Sequence, residues 1–259
     1  MSAPGAAPGE ASAPWSWHHE AGPLRLGRAL ATEVRHGDLS VGLEPAELGP
    51  RRRALVDRPW VGLHQVHGAG VVVVGDHDVP DDDAGSAADA LVTARDDVAL
   101  AVHTADCAGV ALVADNGAVG AVHAGWRGLV AGVLPEAVGA LRDLGAARVW
   151  AASGPCIGPE CYEFGEAELA QVADRLGPTV RGETATGAPA LDLRAGVRAA
   201  LAEVDVTLEH VDPRCTACAG GDEPVLFSHR ARRDVGRQAV VVWLDAHAAG
   251  GPPPFEREG

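Results

Sequence analysis

Two apolar runs joined by a tight turn constrain the fold of this chain more than any other stretch. Residues 110–114 and 118–122 flank an Asp-Asn-Gly turn at 115–117, a pattern typical of a β-hairpin. Cys107 precedes the first run and His123 follows the second run immediately. The hairpin therefore predicts that a thiol and an imidazole meet at one edge of a sheet, as a metal-ligand pair or a nucleophile–base pair.

A third candidate ligand, His67, lies between the apolar runs 60–66 and 71–74 and is followed by glycine. This pattern predicts a second hairpin with His67 at its tip. Two imidazoles and one thiolate form an open tetrahedral metal site when water takes the fourth position. His64 is the alternative ligand from the same segment.

The remaining segments predict an α/β fold, with helices on both faces of a mixed sheet in a single compact domain. Besides the hairpin at 110–122, strands are predicted at 60–66, 71–74, 88–93, 98–102, 149–153, 206–211, 225–227 and 238–244, with extended pieces in 34–43, and helices at 45–57, 129–144, 165–176 and 192–204. The predicted catalytic domain is 21–247. Segments rich in Gly and Pro suggest disordered tails at 1–20 and 248–259.

Charge and composition exclude several functions. The formal net charge of −15 disfavours binding to nucleic acid or to an anionic membrane surface. All 21 basic residues are arginine, which excludes Schiff-base chemistry and lysine general bases. No apolar run approaches the length of about 18 residues that a membrane span needs, and no secretory signal pattern is visible. The sequence predicts a cytoplasmic monomer or small homo-oligomer that acts on a small molecule.

Three polar residues near the hairpin are further candidates. Arg127 lies where the chain turns into the predicted helix 129–144, and both its guanidinium and a helix N-terminus suit an anion such as phosphate. His103 follows a predicted strand and is expected in the pocket wall. Asp106 either orients a ligand or caps the turn before Cys107.

The cysteines give no sign of a disulfide framework. They number five and lie at Cys107, Cys156, Cys161, Cys215 and Cys218. An odd number without a small secreted framework favours free thiols or metal ligands. Because a lone CxxC pair is weak evidence for zinc or redox function, we interpret Cys215 and Cys218 as part of an ordinary loop.

Several motifs together resemble those of the laccase-domain family. They are Gln65-Val-His-Gly68, Ala88-Asp-Ala-Leu-Val-Thr93, Thr104-Ala-Asp-Cys107, Val122-His-Ala-Gly-Trp-Arg-Gly128, Gly154-Pro-Cys-Ile-Gly-Pro159 with Cys161-Tyr-Glu163, and Cys215-Thr216. The family is also described as multicopper polyphenol oxidases, purine nucleoside phosphorylases of the laccase-domain type, or peptidoglycan editing factors. The similarity covers residues 34–244 and implies an α/β fold with a metal site, usually zinc and alternatively copper, formed by His67, Cys107 and His123.

The resemblance also implies an activity. It indicates phosphorolysis of adenosine, inosine or methylthioadenosine, with adenosine deamination as a second activity, so the expected partners are a nucleoside and phosphate. The implied catalytic residues are His67, Cys107 and His123, and the candidate substrate or phosphate contacts are Arg127, Arg230, Arg237 and His103. The C-terminal segment departs from the family pattern, with His229 in place of Tyr and Ala231 in place of Arg.

Three alternatives stay open. Cys107 would be a nucleophile and His123 its base in a cysteine hydrolase that edits a peptidoglycan precursor. A copper-dependent polyphenol oxidase needs many clustered histidines, and the 11 histidines here contain no His-x-His pair. A metal that only stabilises the fold needs a fourth protein ligand, for which Cys156 or Cys161 is available.

Overall fold

Two β-sheets, of six and five strands, form the framework of the computed structural model, which describes residues 14–22, 25–75 and 85–246. The strands are β1 (Ser16–Glu20), β2 (Arg25–Ala31), β3 (Trp60–Val61), β4 (Val71–Val73), β5 (Ala90–Thr93), β6 (Ala99–Thr104), β7 (Ala108–Ala114), β8 (Val119–Ala124), β9 (Val149–Ser153), β10 (Arg181–Glu183), β11 (Pro189–Leu191), β12 (Thr207–Val211) and β13 (Gln238–Ala246). The α-helices are α1 (Pro45–Leu55), α2 (Trp126–Ala131), α3 (Val133–Asp143), α4 (Glu166–Leu176), α5 (Leu193–Ala202) and α6 (His229–Arg232).

Both large sheets are mixed. The six-stranded sheet has the order β12-β9-β7-β8-β5-β4, and the five-stranded sheet has the order β1-β2-β13-β6-β3. Within them β12 pairs with β9, β4 with β5 and β3 with β6 in parallel, whereas the other neighbours are antiparallel. The predicted α/β class is confirmed, although two packed sheets replace the single sheet that the sequence indicated.

Strand β7 explains why the sequence contains such a long apolar run. Every residue of β7 is buried. Val110 and Leu112 belong to a core cluster that includes α3 and α5, while Ala111 and Val113 pack with Val240 of β13 in the other sheet. A strand covered on both faces requires apolar side chains at every position. A further cluster buries one side of α1 against the five-stranded sheet, so helices lie on both outer faces.

The hairpin predicted at 110–122 is confirmed. Strands β7 and β8 pair antiparallel, with Gly109 opposite His123, and Gly117 takes the positive φ of +85° that their turn requires. This register places Cys107, just before β7, beside the end of β8. The sheet edge therefore carries both side chains.

The hairpin predicted around His67 is wrong. Strand β3 pairs in parallel with β6 in the five-stranded sheet, whereas β4 pairs in parallel with β5 in the six-stranded sheet. The strand predicted at 60–66 is also too long, since β3 ends at Val61. The segment between β3 and β4 thus crosses from one sheet to the other. Apolar periodicity identifies strands but not their partners, and this is why the two runs resembled a local pair.

Four other predictions also need correction. The predicted helix 129–144 is divided at Gly132, whose φ of +90° ends α2 and begins α3. The extended piece expected at the start of 34–43 begins as a 3-10 turn, and 225–227 is not a strand because the amide of Phe227 bonds the side chain of Gln238. The predicted tail 1–20 is wrong at its end, since 16–20 form β1. Residues 1–13 and the tail 248–259 lie outside the described residues.

The helices of the described ranges are too short or too polar to cross a lipid bilayer.

Candidate metal centre

Three side chains from distant parts of the chain meet at the edge formed by β7 and β8. One ligand atom each of His67, Cys107 and His123 lies within 4.8 Å of the other two. The Nε2 atom of His67 is 4.0 Å from the sulfur of Cys107, and the two imidazole rings meet edge to face with centroids 4.8 Å apart. His64 does not join this group, so of the two candidates from this segment only His67 lies beside Cys107 and His123.

Asp89 holds this group together, and its role was missed in the sequence. Its fully buried carboxylate accepts hydrogen bonds from the amides of His67 and Gly68, at 2.9 and 2.6 Å, and a longer one from Val66. These bonds fix His67 at a φ of +60°, which a non-glycine residue adopts only when its surroundings stabilise it. Asp89 also bonds Nδ1 of His123 at 2.8 Å.

The bond between Asp89 and His123 determines which nitrogen faces the other ligands. With Asp89 ionised, Nδ1 of His123 donates its proton to the carboxylate, and Nε2 is directed to Cys107 and His67. A carboxylate behind a histidine ligand is the common arrangement in zinc sites, because it fixes the ring and makes the ligand more basic. The motif Ala88-Asp-Ala-Leu-Val-Thr93 contains the signal for this role, an acidic residue directly before the apolar run Ala-Leu-Val of a strand.

Cys107, His123 and Asp89 stabilise one another in their charged forms. Burial raises the pKa of Cys107, but the charges and hydrogen bonds of His123 and His67 outweigh it and lower that pKa to about 6. For His123 burial acts to lower the pKa, but the interactions with Cys107 and Asp89 outweigh it and raise that pKa to about 9. For Asp89, burial is outweighed by hydrogen bonds from His123 and Gly68, so its pKa is lowered. Without a metal, the site therefore favours a thiolate beside an imidazolium.

The donor set and its spacing fit a divalent zinc ion. Zinc binds two imidazoles and a thiolate readily, and tetrahedral ligation at the usual bond lengths separates nitrogen from sulfur by about 3.6 Å. The observed distance of 4.0 Å between His67 and Cys107 is close to that value. Gly125 leaves room for His67 and Cys107 to approach each other this closely, because a Cβ at this position would lie 3.0 Å from the His67 ring and 3.1 Å from the sulfur of Cys107.

We call His67, Cys107 and His123 the three-ligand group. This group opens into a cavity of about 640 Å³. A volume between about 300 and 1,000 Å³ is typical of small-molecule sites. The wall includes His67, Cys107, His123, His103, Arg230 and Arg237. His103 is nearly buried, and its backbone exchanges two hydrogen bonds of 2.8 Å with the side chain of Gln65.

Asp106 anchors the opposite wall of the cavity. Its carboxylate accepts bonds of 2.7 Å from Thr216, 2.6 Å from the Ser228 hydroxyl and 2.6 Å from the amide of Arg230. Asp106 itself has a φ of +106°, and it directly precedes Cys107. The sequence left two roles open for Asp106, to orient a ligand or to cap the turn before Cys107. The structure shows a different role, in which Asp106 joins the loop that carries Cys107 to α6.

The predicted arginines have different locations. Arg230 lies in the cavity wall, with its guanidinium over the ring of Tyr162 at 4.8 Å and one amine bonded to the carbonyl of Glu163. Arg237 also lines the cavity and bonds three carbonyls of its own loop. Arg127 is exposed, stacks on Trp126 at 4.4 Å, and is not part of the cavity wall.

Neither cysteine offered as a fourth ligand joins the three-ligand group. Within the ranges described, the group consists of His67, Cys107 and His123 alone among His, Cys, Asp and Glu residues. Cys156 is fully buried and is not a member of the group, and Cys161 belongs to a separate group. A metal held here would keep a coordination position open to the cavity.

Comparisons with known proteins agree with this fold. Residues 44–245 match the profile of the family described as multi-copper polyphenol oxidoreductase laccase. A purine nucleoside phosphorylase, ORF3 of Streptomyces griseus, is 43% identical over 221 residues, which cover 80% of this chain and 85% of that protein.

Two crystal structures have the same architecture. The hypothetical protein YfiH of Bacillus licheniformis superposes with a TM-score of 0.73 at 25% identity, over 88% of this chain and 99% of that one. YlmD from Geobacillus stearothermophilus superposes with a TM-score of 0.69 at 29% identity, over 85% and 91% of the respective chains.

Proposed function

This chain belongs to the multi-copper polyphenol oxidoreductase laccase family, and from that premise we propose that it is a zinc-dependent purine nucleoside phosphorylase. The proposed substrates are adenosine, inosine and methylthioadenosine together with phosphate, and adenosine deamination is the proposed second activity. The names of relatives such as ORF3 of Streptomyces griseus support the phosphorylase assignment.

One observation carries the proposal: an incomplete set of metal ligands opens into a cavity that also contains two arginines. His67, Cys107 and His123 supply three donors, and Arg230 and Arg237 lie in the same wall. A site that only stabilised the fold would use four protein ligands and need no cavity. A zinc ion in this place would act as a Lewis acid and make water a usable nucleophile near neutral pH.

The chain's own residues would divide the rest of the work. In phosphorolysis, phosphate attacks C1′ as the bond from C1′ to the purine nitrogen breaks and the base leaves. Positive charge develops on the ribose meanwhile, so the phosphate must be held close to the sugar. Arg230 and Arg237 are the proposed phosphate contacts, because guanidinium groups match phosphate oxygens in geometry and charge. His103 forms part of the same wall and is proposed to contact the nucleoside. Arg127, outside the wall, is the weaker candidate.

A cysteine hydrolase is the second candidate, and one feature favours it. Cys107, His123 and Asp89 form a chain of interactions in which the thiol is next to an imidazole and the imidazole is bonded to a carboxylate. This order of groups is that of a nucleophile, its base and the residue that orients the base. In that case a bound metal would inhibit the hydrolase, since the sulfur of Cys107 cannot be both a metal ligand and the attacking group.

A copper-dependent polyphenol oxidase has less support. Multicopper chemistry needs clusters with many imidazoles. In the described ranges, each group of metal-ligand side chains contains at most two histidines. The family description alone therefore does not carry an oxidase assignment.

Product analysis with adenosine separates these possibilities. Zinc-loaded protein is expected to release adenine only when phosphate is present, and to release inosine with or without phosphate. A chelator should abolish both reactions, and zinc should restore them. If chelated protein retains its activity while Cys107→Ser abolishes it, the nucleophile role replaces the metal role.

The arginine roles have their own matched test. Arg230→Met should raise the KM for phosphate, whereas Arg148→Met, at an exposed arginine far from the cavity wall, should leave it unchanged. Equal effects of both substitutions would contradict the assignment of Arg230.

A further inference from the structure

A second group of metal-ligand side chains lies behind the cavity wall. Glu160, Cys161, Cys215 and Cys218 each place one ligand atom within 4.8 Å of the others. We call these four residues the thiol cluster. It shares no residue with the three-ligand group, and its three sulfurs are free cysteines. Cys161 follows β9 in the chain and the other two cysteines follow β12, so two loops meet here.

We propose that the thiol cluster is a second, structural metal site that binds a zinc-class ion through three thiolates and one carboxylate. Its four donors complete a tetrahedral shell, in contrast to the open site at Cys107. The inference does not depend on the proposed enzymatic activity.

Distances in the cluster suit a tetrahedral ion. With the usual zinc–sulfur and zinc–oxygen lengths, neighbouring ligand atoms are separated by about 3.6 to 3.8 Å. The sulfur of Cys218 is 3.8 Å from Oε1 of Glu160. The whole set fits within 4.8 Å, so small side-chain rotations are sufficient to close the shell.

The backbone around Cys215 provides the second observation. Its sulfur accepts a hydrogen bond of 3.2 Å from the amide of Gly158. Burial raises the pKa of the Cys215 thiol, and the amides of Gly158, Ala217 and Cys218 oppose this by hydrogen bonds that favour the thiolate. A neutral thiol is a weak acceptor, whereas several N–H groups directed at one sulfur match a thiolate. Amides two and three residues after a cysteine in a CxxC turn thus prepare that sulfur as a metal ligand.

The position of the cluster gives the ion a structural role. Cys161 is followed by Tyr162, whose ring lines the cavity beneath Arg230. Cys215 is followed by Thr216, which donates to Asp106 beside the three-ligand group. An ion joining the two loops would therefore fix both the Tyr162 wall and the Asp106 anchor. Zinc ligation contributes directly to folding energy in sites of this kind.

Counting metal ions tests the proposal. Protein reconstituted with zinc under reducing conditions and then desalted should contain two ions per chain by elemental analysis. Cys218→Ser, at an exposed position, should lose one ion and unfold at a lower temperature, and Cys161→Ser should do the same. Cys107→Ser should also lose one ion, but from the other site. Cys156→Ala, a buried cysteine outside both groups, is the matched control and should retain two.

Cobalt distinguishes the sites independently of folding. In Cys107→Ser the remaining cobalt should absorb strongly in the near ultraviolet, because three thiolates donate charge to it, and adding Cys218→Ser to this variant should abolish the band. The proposal is overturned if Cys107→Ser binds no ion, or if Cys218→Ser retains two. It is also overturned if the intact mass of the reduced, reconstituted protein shows a disulfide between cluster cysteines.

Discussion

Gly125→Ala provides a sharp test of the three-ligand group, because it changes one methyl group beside two proposed ligands. Gly125 has φ −78° and ψ 165°, which alanine adopts without strain. The added Cβ would lie 3.0 Å from Cδ2 of His67 and 3.1 Å from the sulfur of Cys107. Carbon atoms in ordinary contact are about 3.5 to 4.0 Å apart. Both ligands must therefore move by several tenths of an ångström.

The structure sets the expected size of the effect. Overpacking a well-filled site costs about 1 to 3 kcal/mol. Since about 1.4 kcal/mol corresponds to a tenfold change in an equilibrium constant, zinc should bind about 5- to 150-fold more weakly. Occupancy is measured at this site alone by titrating zinc against a chelator and following protection of Cys107 from iodoacetamide by peptide mapping.

Gly139→Ala is the matched control for this substitution. Gly139 lies in α3 and a Cβ there meets nothing within 4 Å, so alanine should stabilise the helix slightly and leave zinc binding unchanged. If Gly125→Ala and wild type protect Cys107 at the same zinc concentration, the geometry proposed for the three ligands is refuted.

The contacts of Asp89, Cys107 and Arg230 have further measurable consequences. Asp89→Asn should weaken zinc binding by about 10- to 100-fold, measured by the same protection assay, because His123 loses its orienting carboxylate; unchanged affinity would contradict that role. In metal-free protein, the alkylation rate of Cys107 should rise with pH through a midpoint near 6, since its pKa is lowered to about 6; a midpoint above about 8, as for an ordinary thiol, would contradict the thiolate–imidazolium pair. Arg230→Met should raise the KM for phosphate about 10- to 150-fold, the loss of about 1.5 to 3 kcal/mol from one charge-assisted bond, and a KM equal to that of Arg148→Met would contradict the contact.

Local pattern is sufficient to predict half of the candidate metal centre. Cys107 and His123 flank one hairpin, and hairpins are determined by neighbouring residues and by the turn between them. The apolar runs and the Asp-Asn-Gly turn therefore bring these two side chains together through short-range interactions alone. The α/β class follows in the same way, because buried strands and amphipathic helices have distinct periods.

The other half depends on contacts that periodicity does not encode. His67 reaches the site through a segment that crosses between two sheets, and Asp89 fixes that segment by bonding its amides. The resemblance to a known family, rather than local pattern, joins His67 to the other ligands. Nothing in the spacing of Cys161 and the Cys215–Cys218 pair indicates that their loops meet, so the sequence interpretation of an ordinary loop missed the thiol cluster.

Anomalous diffraction at the zinc absorption edge tests the central claim most directly. Crystals grown with zinc should show a peak among Nε2 of His67, the sulfur of Cys107 and Nε2 of His123, and Cys107→Ser crystals should lose that peak. The account predicts three protein ligands at this peak and a fourth position facing the cavity. Wild-type crystals without a peak there, or with a fourth protein side chain on the ion, would contradict an open catalytic metal centre.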